Sequence, residues 1–210
     1  MSPPAVRGGQ LRFTHDWFSK NIPIWEEHVL PFAGRENYSV LEVGSWEGRS
    51  ACWLLEHVLT HPTARLTCVD TWGGCAHHDL EDVITEVEKT FDRNIAAVSG
   101  TAKVTKVKGP SQHVLRGLPL QLFDLVYIDA SHLAPNVLTD AVLCWELLKD
   151  GGMLIFDDYQ WKSPAHDRKN PLIEPKIAID AFLRIFGPHL HVIEKGRQML
   201  ATKRSSCSVS

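Results

Sequence analysis

Apolar positions along the chain switch repeatedly between short runs that suit a strand and three- to four-residue spacings that suit a helix. Val40, Leu41 and Val43 form such a run, ended by Gly44, and predict a buried strand followed by a turn. Ala51, Leu54, Leu55 and Val58 then fall on one helical face, with Ser45 expected to cap that helix. Ala64 to Asp70 predicts a second strand, Leu80 to Val98 a long amphipathic helix, and Lys103 to Lys108 a third strand whose mixed polarity suits a sheet margin. Ser111 opens a short helix to Leu118, Phe123 to Asp129 is a strongly apolar fourth strand, and Pro135 to Leu148 is helical. Gly151 and Gly152 are expected to break that helix ahead of a fifth strand, Met153 to Asp157. Pro175 to Phe186 gives a last helix, and His191 to Glu194 with Met199 to Thr202 predict a closing hairpin. Before the first strand, Phe13 to Leu30 predicts two short helices interrupted at Pro23.

Strands alternating with helices imply an α/β fold, a single-domain, doubly wound, mostly parallel seven-stranded sheet with a terminal antiparallel hairpin. The expected organisation is a helical N-terminal arm over residues 1–37, one α/β domain over 38–204 and a flexible tail over 205–210. The aromatic residues of the arm either cover the sheet edge or form part of a substrate lid.

Composition narrows the function classes. A charged fraction of 22% and a hydrophobic fraction of 44% fit a soluble globular chain. A net charge of −3 without a long basic run gives no expectation of a nucleic-acid partner. No apolar run approaches a membrane span and the first ten residues lack the apolar core of a signal peptide, so a cytoplasmic protein with no membrane partner is expected. A homo-oligomer is compatible with the pattern. Of the five cysteines, Cys52, Cys68 and Cys144 sit in apolar segments and suit a core. Cys75 with His77, His78 and Asp79 suggests either a zinc cluster or an exposed loop. Cys207 to Ser210 satisfies a prenylation pattern in form, although a disordered tail explains the same residues.

The candidate chemistry collects at the strand ends, because the carboxyl edge of a parallel sheet is where ligands bind. Glu42, Asp70, Asp129 and the pair Asp157-Asp158 all fall there. After the first strand, Gly44 and Gly48 permit close approach to backbone N–H groups at a helix start. Their G-x-x-x-G spacing departs from the dinucleotide fingerprint, and Glu42 beside the turn would repel pyrophosphate and favour a cation. S-adenosylmethionine, with its ammonium and sulfonium and no phosphate, fits such a turn better than NAD. Asp70 stands where an acid can accept hydrogen bonds from ribose hydroxyls, or cap the next segment. Asp129 and Asp157, on adjacent strands, would repel one another unless a cation neutralised them, and carboxylate ligation favours magnesium, manganese or calcium. The alternative is that each acid caps its own helix. His132, three residues beyond Asp129, is a candidate proton acceptor if the turn keeps it on the rim.

The ordered segments L-E-V-G-S-W-E-G-R-S, V-D-T-W, G-P-S-Q, F-D-L-V-Y-I-D-A-S-H and L-I-F-D-D-Y, spread over residues 38–159, resemble class I S-adenosylmethionine-dependent methyltransferases. Within that class the likeness is to the metal-dependent catechol O-methyltransferase-like and macrocin O-methyltransferase-like enzymes. The resemblance implies that Glu42, Gly44 and Ser50 hold the methionine moiety, with Ser45, Trp46, Gly48 and Asp129 also at the cofactor. It places Asp70 on the ribose, with Thr71 and Trp72 flanking the nucleoside, and Ser111 and Gln112 on the adenine. Asp129, Asp157 and Asp158 would match the ligands of a divalent cation, magnesium first, with manganese or calcium as alternatives. His132 stands where catechol-type members often carry a lysine base, and Asp158 where they carry asparagine. The implied reaction is methyl transfer to a hydroxyl of a small molecule, with His132 and Asp129 catalytic; the alternatives are a metal-independent methyltransferase acting on nitrogen or carboxylate and a non-catalytic S-adenosylmethionine-binding protein. Trp17, Trp161 and His166 are candidates for the substrate wall, and the segment from Ser163 to Pro175 is equally compatible with an ordinary surface excursion.

Overall fold

The computed structural model describes residues 10–73, 81–98, 100, 102–162, 170 and 172–205, with side chains of 81–85 set aside. In chain order the elements are α1 (Ile22–His28), β1 (Ser39–Val43), α2 (Arg49–His57), β2 (Arg65–Asp70), α3 (Glu81–Val98), β3 (Lys103–Lys108) and α4 (Ser111–Val114). They continue as β4 (Phe123–Ile128), α5 (Ala134–Leu147), β5 (Leu148–Phe156), α6 (Pro175–Phe186), β6 (Leu190–Lys195) and β7 (Met199–Lys203). The strands form one sheet in the order β3-β2-β1-β4-β5-β7-β6. The first five run parallel, and β7 inserts antiparallel between β5 and β6. This is the expected doubly wound sheet with its antiparallel end, and β3 lies at the margin that its mixed polarity suited.

The pleat sends alternate residues of each strand into two cores. Val40, Leu125, Tyr127 and Ile155 point into one, shared with Trp25 of α1, Trp53 and Leu54 of α2 and Phe91 of α3. Leu41, Val43, Val126 and Leu154 point into the other, against α5 and α6 through Val137, Ala141, Ile179 and Phe182. Strands buried on both faces read as continuous apolar runs, which is why β1 and β4 stood out in the sequence. Trp25 ties the arm to the far end of the chain. Its Nε1 donates to Gln198 Oε1 at 2.7 Å, and its ring stands edge-on to Tyr127 with centroids 5.0 Å apart.

Three local expectations are corrected. Pro23 does not divide two helices; it occupies the first turn of α1, where its missing N–H costs no hydrogen bond, and 3-10 turns flank that single helix. Gly151 and Gly152 lie inside β5 rather than ahead of it. They absorb a register shift against β4, with Gly151 at φ +78°. Ser45 does not cap α2, whose N-cap position is Gly48 at φ +80° with no side-chain cap.

Candidate functional site

The turn after β1 is built by contacts within the protein before any ligand is considered. Gly44 N donates to Val69 O at 2.8 Å, and a Cβ on Gly44 would lie 2.2 Å from the carbonyl oxygen of Asp129. The close packing of the ends of β1 and β4 therefore requires glycine there. Glu42, adjacent in β1, is fully buried and accepts the hydroxyl hydrogens of Ser45 and Ser50 at 2.5 Å each. Burial pushes its pKa up to about 7, against the opposing pull of those two hydroxyls. Asp70 holds the turn from the neighbouring strand. Its Oδ2 accepts from the backbone N–H groups of Ser45 at 2.7 Å and Trp46 at 2.8 Å, and its Oδ1 from Trp72 N at 2.7 Å.

The second half of the rim is a chain of polar groups across the ends of β4 and β5. The Tyr127 hydroxyl lies between two acids, 2.9 Å from Asp129 Oδ2 and 2.5 Å from Asp157 Oδ2. Asp157 also accepts from Asn21 Nδ2 at 3.3 Å and, through Oδ1, from Asp158 N at 2.7 Å. Asp158 Oδ2 meets His132 Nε2 at 2.9 Å, and the His132 ring stacks on Trp161 with centroids 4.2 Å apart and planes 9° from parallel. Withdrawal of the carboxyl group from bulk water, then the charges of Asp157 and Asp158, hold the pKa of Asp129 well above its ordinary value. The Asp129 residue is itself exposed, with the charges of Asp157 and Asp158 acting on its carboxyl group. Asp157 is raised in the same way, by burial and then by Asp158. Trp46, Trp72 and Asp158 all hold left-handed backbone, with φ of +48°, +50° and +56°. Strain of this kind, on the order of 1–3 kcal/mol per residue, persists where the surroundings over-determine it, as at ligand sites.

The structure thus brings Glu42, Asp70, Asp129, Asp157, Asp158, His132 and Trp161 to one sheet edge. Among the described residues no group of three or more His, Cys, Asp or Glu side chains is arranged as a ready-made metal site. Thr71 is exposed at the β2 turn, whereas Trp72 turns inward, packs on Phe91 with centroids 4.9 Å apart and donates Nε1 to Trp46 O at 3.0 Å. Ser111 and Gln112 open α4, half-buried. Trp17 is 43% exposed and leans on Trp46 with centroids 5.7 Å apart. His166, the Cys75 to Asp79 cluster and Cys207 lie outside the described residues.

Tyr127, Asn21 and Glu47 were not anticipated. Tyr127 was visible as the lone hydroxyl of the strand F-D-L-V-Y-I, two residues before Asp129 and so on the same face. Glu47, buried within the glycine turn, accepts from Thr14 N at 2.6 Å and Thr14 Oγ1 at 3.0 Å. No local signal marks that partnership, which spans 33 residues.

Among the described residues no helix is long and apolar enough to cross a membrane. A family model described as "Methyltransferase domain" matches residues 41–159, more than half of the chain. No curated protein matches the sequence. Similar solved structures include the O-methyltransferase NovP, at 18% identity and TM-score 0.63 over 89% of this chain and 79% of that one. The O-methyltransferase TomG from Streptomyces achromogenes, involved in tomaymycin synthesis and solved with S-adenosylmethionine, shares 16% identity at TM-score 0.60 over 89% and 80%. MycE from the mycinamycin biosynthetic pathway, solved with Mg and S-adenosylhomocysteine, shares 17% identity at TM-score 0.57 over 95% of this chain and 52% of that one. At these identities the likeness is one of fold. With the matched family, the sheet order and the glycine turn in agreement, the chain belongs to the class I S-adenosylmethionine-dependent methyltransferases.

Proposed function

We propose that the protein transfers the methyl group of S-adenosylmethionine to a hydroxyl oxygen of a small molecule bound at the β4–β5 end of the rim. The observation that carries this reading is the His132–Asp158 contact at 2.9 Å beside Asp129, on the sheet edge where the family binds its cofactor. In this reading Glu42, Ser45 and Ser50 face the methionine end with Gly44, Trp46 and Gly48, Asp70 and Thr71 face the ribose, and Ser111 and Gln112 face the adenine. The buried Glu42 carboxyl, close to its midpoint at neutral pH, offers a negative charge to the ammonium.

His132 is the proton acceptor. The Asp158 carboxylate fixes the imidazole tautomer by accepting a hydrogen bond from Nε2–H, the tautomer whose basic lone pair is on Nδ1. As the acceptor oxygen bonds to the methyl carbon, the S–CH3 bond breaks, the sulfonium becomes a neutral thioether and the hydroxyl proton passes to His132. Trp161, stacked on His132, holds the ring and forms a flat wall beside it.

The donor set Asp129, Asp157 and Asp158 suits a hard divalent cation such as magnesium, manganese or calcium, because the charges of Asp157 and Asp158 raise the pKa of Asp129 and that of Asp158 raises Asp157, a repulsion that a cation relieves. When bound, the cation supplies Lewis-acid charge that lowers the pKa of the acceptor hydroxyl. Methyl transfer without a metal is a second reading, supported by the Tyr127 hydroxyl already shared between Asp129 and Asp157.

Transfer of radiolabelled methyl to a panel of vicinal hydroxyl compounds, with magnesium and with chelator, tests both readings. Loss of turnover in chelator is expected for the metal-assisted reaction, and unchanged turnover would leave the metal-free one. His132→Ala should lower kcat by about 10²- to 10⁴-fold, the usual contribution of a positioned general base. Turnover equal to wild type would refute its role.

A further inference from the structure

Asp140, on α5, lies outside every group used so far. It is fully buried; its Oδ2 accepts the Ser111 hydroxyl at 3.0 Å, and its Oδ1 has no hydrogen-bond partner among the described residues. Its helix neighbours Val137, Ala141 and Cys144 are buried apolar residues, and an aliphatic side chain would fill the position without a desolvation penalty. Packing therefore does not account for a carboxylate here, and a buried polar group left half-satisfied calls for a specific reason.

Ser111 supplies one. It is half-buried at the start of α4, on the same rim as the turn after β2, where Gly109 N donates to Asp70 O at 2.9 Å. A serine hydroxyl has one proton and two lone pairs. The Ser111 hydroxyl donates to Asp140 Oδ2, whose pKa burial pushes up to about 6. The single proton of Ser111 is thereby committed inward, and the hydroxyl shows lone pairs alone to anything in the crevice.

We propose that Asp140 is a positioning residue that fixes Ser111 as a hydrogen-bond acceptor, so that the site selects a cofactor base bearing a 6-amino group over one bearing a 6-oxo group. This rests on the placement of Ser111 toward the adenine in the proposed function. An amino group donates to the exposed lone pair, whereas an oxo group meets it with a second lone pair.

The test is calorimetric titration of S-adenosylhomocysteine and S-inosylhomocysteine into wild-type, Asp140→Asn, Ser111→Ala and the double variant, each first shown to be folded by circular dichroism. The wild type should prefer the adenosyl compound by about 10-fold or more, the worth of roughly one such hydrogen bond. In Asp140→Asn the amide can donate to Ser111 and free its proton, so the ratio of the two dissociation constants should fall severalfold. Ser111→Ala should lose the preference as well, and the double variant should fall no further. A merely structural role for Asp140 would weaken both ligands alike. An unchanged ratio in folded Asp140→Asn overturns this inference while the cofactor site stands, whereas wild-type protein that binds neither compound overturns the cofactor site itself.

Discussion

Glu42 is the residue whose environment most directly shapes behaviour in solution. It is acidic, completely buried and raised to about 7 from an ordinary 4.5. Between those values the folded chain binds more protons than the unfolded one, so the Glu42 contribution to stability is fully present below about 4.5 and lost as pH rises through about 7. Asp140, raised to about 6, acts in the same direction. Thermal melts of the cofactor-free protein should therefore give a higher Tm near pH 5.5 than near pH 7.5, and Glu42→Gln should flatten that slope in part. Identical slopes for the two proteins would refute the assignment. Gly44 gives a sharper case. A Cβ there combines left-handed backbone at φ +91° with a 2.2 Å clash against main chain, so Gly44→Ala should cost more than about 4 kcal/mol, read as a collapsed urea midpoint or insoluble protein. A midpoint near wild type would contradict the packing. The importance of both residues was legible in the sequence, but its cause was not. The glycine motif suggested close approach of a ligand, whereas the tightest neighbour is Asp129 of the adjoining strand, which no local pattern announces.

Among the elements, the N-terminal arm is the least legible and the most consequential. Its residues reach the site from two sides. Asn21 contacts Asp157, and Thr14 holds Glu47 in the glycine turn. Asn94 of α3 clasps the arm between them, accepting from Arg12 N at 3.0 Å and donating Nδ2 to Arg12 O at 2.7 Å and Glu47 O at 2.9 Å. Asn94→Ala would leave buried backbone carbonyls unmatched and should cost about 1–3 kcal/mol in a urea melt. The arm should also become cleavable at Arg12 by trypsin under native conditions. Resistance equal to wild type would show that Asn94 does not secure the arm. The sequence predicted helices here and misjudged Pro23, since a proline reads as a breaker until the helix start is known. The helix-breaking role of Gly151 and Gly152 failed for a related reason: glycine marks irregular backbone without saying whether the irregularity ends a helix or bends a strand.

For the molecule as a whole, the pattern of strands and helices was sufficient. Apolar runs in β1, β4 and β5 imply burial on both faces, the mixed polarity of β3 suits an edge, and acids at the strand ends imply a polar rim. The insertion of β7 between β5 and β6 was not legible, because strand order depends on long-range pairing rather than local period. The acids were expected to gather around a cation; that the Tyr127 hydroxyl lies between Asp129 and Asp157 was not legible beforehand. In the proposed function the β1 turn and the β4–β5 rim hold a cofactor and a reaction centre as separable halves of one site. Calorimetric titration of S-adenosylhomocysteine into wild-type protein and Asp157→Ala, without and then with magnesium, tests it most directly. The expected result is cofactor binding of similar affinity in both proteins, with a magnesium heat in the wild type that the variant lacks. Failure of folded wild-type protein to bind S-adenosylhomocysteine under either condition would contradict the account at its base.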